Sequence, residues 1–537
     1  MAPKVFAAPA PAPPLPATSI GALLSDRAQR FGAREFLRFE GRSLTYGEVE
    51  EQSSRVANAL AALGIRRGDR VGIMLPNGLD YPVTWLGVIR LGAVVVPCNT
   101  GYGDRDLGFV LQDSGARAVV TDAERALFVA AVGRDCSMLE RILVWGAESS
   151  PDPATAGFDP LVRAASASWS DAALGPGDLA TLQYTSGTTG FPKGCMITHE
   201  YWLRLADGAA REARLGDGDV NLIVTAWYYM DAGWNLLLCC IKGIPLVILP
   251  RFSASTFWRS IVENGATFFY CLGTMPTVLL KQPENAVLER GHKVRAVICS
   301  AIPPTLHAAI EARFGCIWRE GYSTTEIGPA CLTVPLDDAS TVGSGAMGRP
   351  APGAEARVVD PAGEEVSRGE VGELLMRGPG MMLGYWQNPE ATAAWLVDGW
   401  AHTGDLVFED ERGYYHIVGR LKEMIRRGGE NIASAEVEAT LCEHPAVRSA
   451  ACVPVADEIR GEEVKAFIQL QPGAPPESAA PEALLAFCRG KLARFKVPRY
   501  FAYIDEFPLT PSQRVEKHRL DRTARGAWDA VVGEWRT

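Results

Sequence analysis

Apolar residues recur along this chain in two rhythms. Val49, Val56, Leu60 and Leu63 fall on one face at helical spacing after Leu44-Thr45-Tyr46-Gly47-Glu48, and Gly64 ends that run. Asp69–Leu75 is a short apolar run closed by Pro76-Asn77-Gly78, which predicts a strand and a turn. A further helical segment leads to Gly92–Pro97, and Ala116–Thr121 predicts another strand. Residues 134–178, rich in Ala, Ser, Asp and Pro, predict a loop-heavy stretch. Leu179–Tyr184 predicts a strand, with a helical pattern from about Met196. Leu222–Ala226, Pro245–Leu249, Thr267–Leu272 and Arg295–Ser300 then predict buried strands separated by apolar helical segments. That alternation is the pattern of a doubly wound α/β domain.

The texture changes from about residue 355. Arg357–Asp360, Pro361-Ala362-Gly363 and Glu373–Arg377 predict one hairpin and Asp405–Gly419 a second, a β-rich subdomain. Residues 420–537 predict a small α+β domain, with helices at Ser434–Glu443 and Glu482–Phe495 and strands at Val447–Val455 and Val464–Leu470. The expected organisation is a tail over 1–17, a large domain over 18–419 and a small one over 420–537, divided at Gly419-Arg420, without internal repeats.

Composition narrows the function. A chain of 537 residues with 47 % hydrophobic content suits two or more cored domains. A net charge of −10 argues against nucleic acid or an anionic membrane surface as the main partner, while leaving room for local basic pockets. The 12 cysteines are scattered without a CxxC pair or zinc-type His/Cys spacing, which fits reduced thiols and a cytoplasmic setting. Ala and Pro dominate the first sixteen residues, which read as a disordered tail and not a signal peptide. No apolar run reaches the ~18 residues a membrane span needs, and Leu236–Leu249 is broken by Lys242, Gly243 and Pro245.

The densest chemistry lies in Tyr184-Thr185-Ser186-Gly187-Thr188-Thr189-Gly190-Phe191-Pro192-Lys193-Gly194. Gly187, Gly190 and Gly194 let backbone N–H groups crowd an anion. Thr185, Ser186, Thr188 and Thr189 add hydroxyl donors, and Lys193 adds a charge suited to a terminal phosphate. The loop lacks the Gly-Lys-Ser/Thr of a Walker A motif. It closely resembles the signature of the AMP-forming adenylating superfamily, which holds acyl- and aryl-CoA synthetases, luciferases and peptide-synthetase adenylation domains.

Later segments carry the resemblance over nearly everything from about 40 to 520. Gly321-Tyr322-Ser323-Thr324-Thr325-Glu326 is similar to the family's Tyr-Gly-x-Thr-Glu element, with Ser323 in place of glycine. The resemblance implies adenine contact for Tyr322, with Ser300 and Ala301 at the nucleotide, a phosphate hydrogen bond for Thr325 and Mg²⁺ coordination for Glu326. Gly372–Leu375 through Gly384-Tyr385-Trp386 resembles a mostly structural block. Asp405 matches the aspartate that holds the ribose hydroxyls, Arg420 a second ribose contact and Lys422 the hinge of a mobile small domain. Gly428-Gly429 would approach a pantetheine thiol. The family's terminal Pro-x-Thr-x-x-Gly-Lys reads here Pro508-Leu509-Thr510-Pro511-Ser512-Gln513-Arg514, so Arg514 replaces the catalytic lysine, with Lys517 three residues on as the other candidate.

Trp227-Tyr228-Tyr229-Met230-Asp231-Ala232-Gly233-Trp234, with Tyr270, Cys271, Met275 and Ser300-Ala301-Ile302, would wall the acid pocket. Either Asp231 grips a substrate cation among aromatics, or the aromatics are core and Asp231 caps the next helix. The resemblance implies ATP-dependent activation of a carboxylic acid as its adenylate, then transfer to a thiol, most simply coenzyme A, and the first of the two readings of Asp231 adds an aromatic or cationic acid. The alternatives are carrier-protein loading, amino-acid activation, nitrite-activating diazotase chemistry, or a nucleotide-binding protein with an impaired site.

Overall fold

The computed structural model describes residues 10–148, 155–170, 173–185, 192–272, 275–427, 430–509 and 515–536. It divides into two compact units, Met1–Ala356 with Met376–His402, and Arg357–Leu375 with Thr403–Thr537.

The large unit is built on two mixed sheets. In one, the strands run in the order Thr155–Gly157, Arg141–Trp145, Ala116–Asp122, Arg70–Met74, Val94–Pro97, Leu179–Thr185 and Lys193–Thr198. All neighbours are parallel except the last pair. The second carries Ile317–Tyr322, Ala296–Ser300, Phe268–Leu272, Asn221–Ile223, Leu246–Ile248 and Glu35–Phe39 in parallel order. Strands such as Val94–Pro97 are buried at every position, because helices cover both faces, and so read as continuous apolar runs. The helix Tyr46–Ala62 starts as its sequence dictates. Thr45 and Glu48 form a reciprocal capping box, and Val49, Val56 and Leu60 are fully buried.

Three expectations change in the large unit. Residues 134–178 contain the strand Arg141–Trp145 and the helix Phe158–Ala164, because the run Ile142-Leu143-Val144 is long enough to extend the sheet. The segment after the phosphate loop is first a strand, Lys193–Thr198, antiparallel to Leu179–Thr185, and the helix starts only at His199 with Thr198 as its cap. The buried Cys195 and Ile197 mark that strand, whereas the residues from Met196 alone look helical. Residues 10–17, within the stretch read as a disordered tail, lie against the large unit. The Ala10 carbonyl accepts from the Gly353 N–H at 2.7 Å, and the Pro13 carbonyl accepts from Arg204 at 2.9 Å.

In the smaller unit, Val447–Asp457 and Gly461–Leu470 form a long antiparallel pair, flanked by Met424–Arg427 and Tyr500–Tyr503. The helices Ser434–Cys442 and Pro481–Arg489 supply Val437, Leu441, Leu484 and Cys488 to its core. The second helix stops short of Phe495, with Gly490 at its end. Asp405 pairs in register with Arg420 in the expected hairpin. Among the described residues no helix is long and apolar enough to cross a membrane.

Candidate functional site

Lys193 opens the strand that leaves the Gly/Thr-rich stretch, and its ammonium lies 4.7 Å from the centre of the Tyr385 ring. The Tyr385 hydroxyl donates to Glu326 at 3.0 Å. Lys193, Tyr385 and Glu326 therefore meet although they lie far apart in sequence. Two backbone links hold them. Trp386 N–H donates to the Gly194 carbonyl at 2.7 Å, and Met382 N–H donates to the Glu326 carbonyl at 3.0 Å. A cation, a phenol and a carboxylate at the exit of an anion loop suit phosphate and a hard cation. Tyr385 was passed over as structural in the sequence. Its adjacency to Trp386 and Gly384 gives no hint of Glu326, 59 residues away.

The buried Tyr201 sets the turn that carries Thr325 and Glu326. Its hydroxyl donates to the Thr325 carbonyl at 2.9 Å. Gly328 has φ +48°, and a Cβ there would lie 2.1 Å from the Tyr201 ring, so only glycine fits. The Ser323 hydroxyl, where the family has glycine, donates to the Gly328 carbonyl at 2.7 Å and closes the same turn. The Thr325 hydroxyl faces the Met230 sulfur at 3.6 Å.

The aromatic segment splits in two. Trp227 is buried and stacks on Tyr81 with ring centres 5.3 Å apart, which is core packing. Tyr228 packs beside Tyr229, and its carbonyl accepts from Gln183. Trp234 meets Tyr270 edge to face at 5.1 Å. The helix Met230–Lys242 has Tyr229 as its cap residue, so Asp231 lies in the first turn and does not cap it. Burial pushes the Asp231 carboxyl up to about 6, against a hydrogen bond from the Trp234 side chain. No ion pair reaches Asp231 among the described residues.

The Tyr270 hydroxyl and Ser300 are 3.0 Å apart, and the Ser300 hydroxyl donates to the Gly321 carbonyl at 2.7 Å. This chain of contacts runs from Asp231 and Trp234 to the end of the strand that carries Tyr322. Thr185 ends the strand entering the loop and faces the Cys195 sulfur at 3.9 Å.

In the smaller unit, Arg420 pairs with the fully buried Asp405 at 2.9 Å. Lys517 is enclosed by Glu423 at 2.5 Å, Glu438 at 2.8 Å and the Ser434 hydroxyl at 2.9 Å. The two glutamates hold its ammonium in the charged form, against burial. Ser186, Gly187, Thr188, Thr189, Gly190, Gly428, Gly429 and Arg514 lie outside the described residues, as does the side chain of Lys422. Among the described residues no cluster of three or more His, Cys, Asp or Glu side chains could hold a metal by itself.

Two family models match the chain: that of the AMP-binding enzyme over residues 24–386, and that of the AMP-binding enzyme C-terminal domain over 436–514. A sulfoacetate–CoA ligase of Cupriavidus necator is 33 % identical over 508 residues, covering 94 % of this chain and 97 % of that protein. The structure of an anthranilate CoA ligase in complex with anthranoyl-AMP superposes with a TM-score of 0.82 at 26 % identity, covering 94 % of this chain and 96 % of the other. The ATP-bound structure of MatB from Rhodopseudomonas palustris superposes with a TM-score of 0.82 at 28 % identity, covering 93 % and 97 %.

Proposed function

The chain belongs to the AMP-binding enzyme family and is an AMP-forming acid–thiol ligase, and from that premise we propose that it activates a small carboxylic acid carrying an amino or ammonium group and passes it to coenzyme A. The observation that carries the substrate class is Asp231, a half-buried carboxyl raised above its usual range by burial, with no basic partner among the described residues. A substrate cation would remove the penalty of ionising it there. The aminated acid that the anthranilate ligase takes fits this reading. The sulfoacetate ligase shows that the family takes other acids too.

In the first half-reaction a carboxylate oxygen of the substrate attacks the α-phosphorus of ATP, and the bond to pyrophosphate breaks. Both reactants are anions, so the chain's task is to neutralise and align them. Thr185 to Gly190 and Lys193 would hold the β- and γ-phosphates, and Thr325 the α-phosphate. Asp405 and Arg420 would hold the ribose, and Ser300, Ala301, Gly321 and Tyr322 the adenine. Glu326 fits one Mg²⁺ ligand, since Mg²⁺ is usually held by one or two carboxylates with phosphates and water. The ion's part is to offset phosphate charge. Arg514 would bridge the carboxylate and the α-phosphate, because Lys517 is already matched by two glutamates.

In the second half-reaction the thiol sulfur attacks the acyl carbonyl carbon, AMP leaves, and the thiol proton passes to solvent. A large domain over 18–419 and a small one over 420–537 would turn about Lys422 between the steps, bringing Gly428 and Gly429 to the thiol. The setting is the cytoplasm, consistent with the mostly buried, unpaired cysteines. The test is ATP–pyrophosphate exchange with paired acids that differ by one amino group, followed by thioester formation with CoA. Aminated acids should exchange faster and yield CoA thioesters. Equal exchange for both members of each pair sinks the substrate class, and adenylate formed without a CoA thioester sinks the acceptor.

A further inference from the structure

Glu320 has no part in the roles above, yet it grips the segment proposed to meet the nucleotide. It lies on the strand Ile317–Tyr322, beside the parallel strand Ala296–Ser300, with Cys299 in register. Beyond Ser300 the chain turns sharply. Ala301 has φ +71°, in the left-handed region that a residue with a Cβ adopts only under constraint. The constraint is visible. One Glu320 oxygen accepts from the Ala301 N–H at 2.5 Å, and the other accepts from the Ile302 N–H at 2.7 Å. An ionised carboxylate presents acceptors to both successive donors. A protonated one places an O–H among them and weakens the grip.

We infer that Glu320 is a positioning residue, whose carboxylate locks the Ala301-Ile302 turn in the shape that receives the nucleotide, so that ATP affinity follows its ionisation. The inference rests on the proposed placement of the nucleotide against Ser300–Tyr322. Burial pushes the Glu320 carboxyl up to about 7, against the two backbone hydrogen bonds that lower it. The switch therefore falls near neutrality. The titratable groups facing it are Tyr270 and the Cys299 thiol, both raised well above their usual values. Asp231 lies across Tyr270. On the helix Pro304–Phe314, His307 bonds the Trp318 carbonyl and Glu311 pairs with Arg319.

The test is ATP affinity of the full chain between about pH 5.5 and 8.5, comparing wild type with Glu320→Gln. The phosphates of ATP titrate alike in both, so the ratio isolates the residue. Wild type should bind about ten-fold more tightly at the alkaline end, a factor worth about one lost charge-assisted hydrogen bond. The two should converge at the acid end. The KM for ATP should move with this ratio. Ala301→Gly, added to Glu320→Gln, should restore alkaline affinity, because glycine adopts the left-handed turn unaided. If Glu320→Gln does not fold, Ala301→Gly alone should flatten the wild-type pH dependence. A wild-type to Glu320→Gln ratio constant with pH, or no rescue by glycine, overturns the inference. A wild type that binds no ATP at any pH would instead overturn the functional reading and this inference with it.

Discussion

At the scale of single residues, environment decides what a charge does. Asp231 titrates in the folded chain at about 6, above its ordinary 3.8. Its contribution to stability is therefore fully present below about pH 3.8 and is lost as the pH rises through about 6. Asp231→Asn removes that loss. The variant should gain on wild type from about pH 4 to 7, by on the order of 1–3 kcal/mol, in chemical denaturation without substrate. A constant difference across that range would show that Asp231 does not ionise in the folded chain. Lys517 is the opposite case, a half-buried cation whose partners are already present. Lys517→Met strands Glu438 and Glu423 and should cost about 3–5 kcal/mol of stability. Arg514→Ala should leave stability nearly unchanged and cut pyrophosphate exchange by roughly 10²–10³, the scale of one lost charge-stabilising donor. The reverse pattern, with stability lost at 514 and exchange lost at 517, would mean that Lys517 carries the catalytic charge.

At the scale of elements, a hairpin and a turn make the proposed phosphate end of the site. Leu179–Thr185 and Lys193–Thr198 pair antiparallel, and the segment Leu383–Trp386 bonds along the second of them. Lys193 is thus fixed at its backbone while its ammonium rests on the Tyr385 ring. Lys193→Ala removes a partly exposed charge and leaves the hairpin's backbone bonds in place. It should raise the KM for ATP or slow exchange without lowering the melting temperature by more than a degree or two, about what a surface substitution costs. Unchanged exchange in a folded variant would remove Lys193 from the phosphate site.

For the whole molecule, the proposed cycle needs the small domain to take two poses. The turn Leu421–Glu423 is short and follows directly on Arg420, where a few backbone angles would absorb the rotation. Lys422→Pro fixes φ there and should spare adenylate formation while abolishing thioester formation. Each half-reaction is measured separately, by exchange and by thioester release from supplied acyl-adenylate. If both fall together, the pivot lies elsewhere.

The local pattern determined a good deal by itself. The cap at Thr45, the buried strands from Arg70 to Ser300 and the α+β pattern after Gly419 follow from spacing and capping chemistry, which act within a few residues. The motif residues likewise identified the family, because their order along the chain is itself the signal. Tertiary structure decided the rest. Trp227 and Asp231 sit four positions apart, yet one stacks on Tyr81 in the core and the other is a half-buried carboxyl that no ion pair reaches among the described residues. Tyr385 meets Glu326, and Glu320 holds Ala301, through contacts that no periodicity encodes. Lys517 looked available in sequence and is enclosed by Glu423, 94 residues before it. Residues 10–17 have the composition of a free tail, but the Gly353 N–H and Arg204 supply partners from distant sequence. Sequence spacing fixes which face a side chain occupies, and only the folded chain fixes which distant group it meets there.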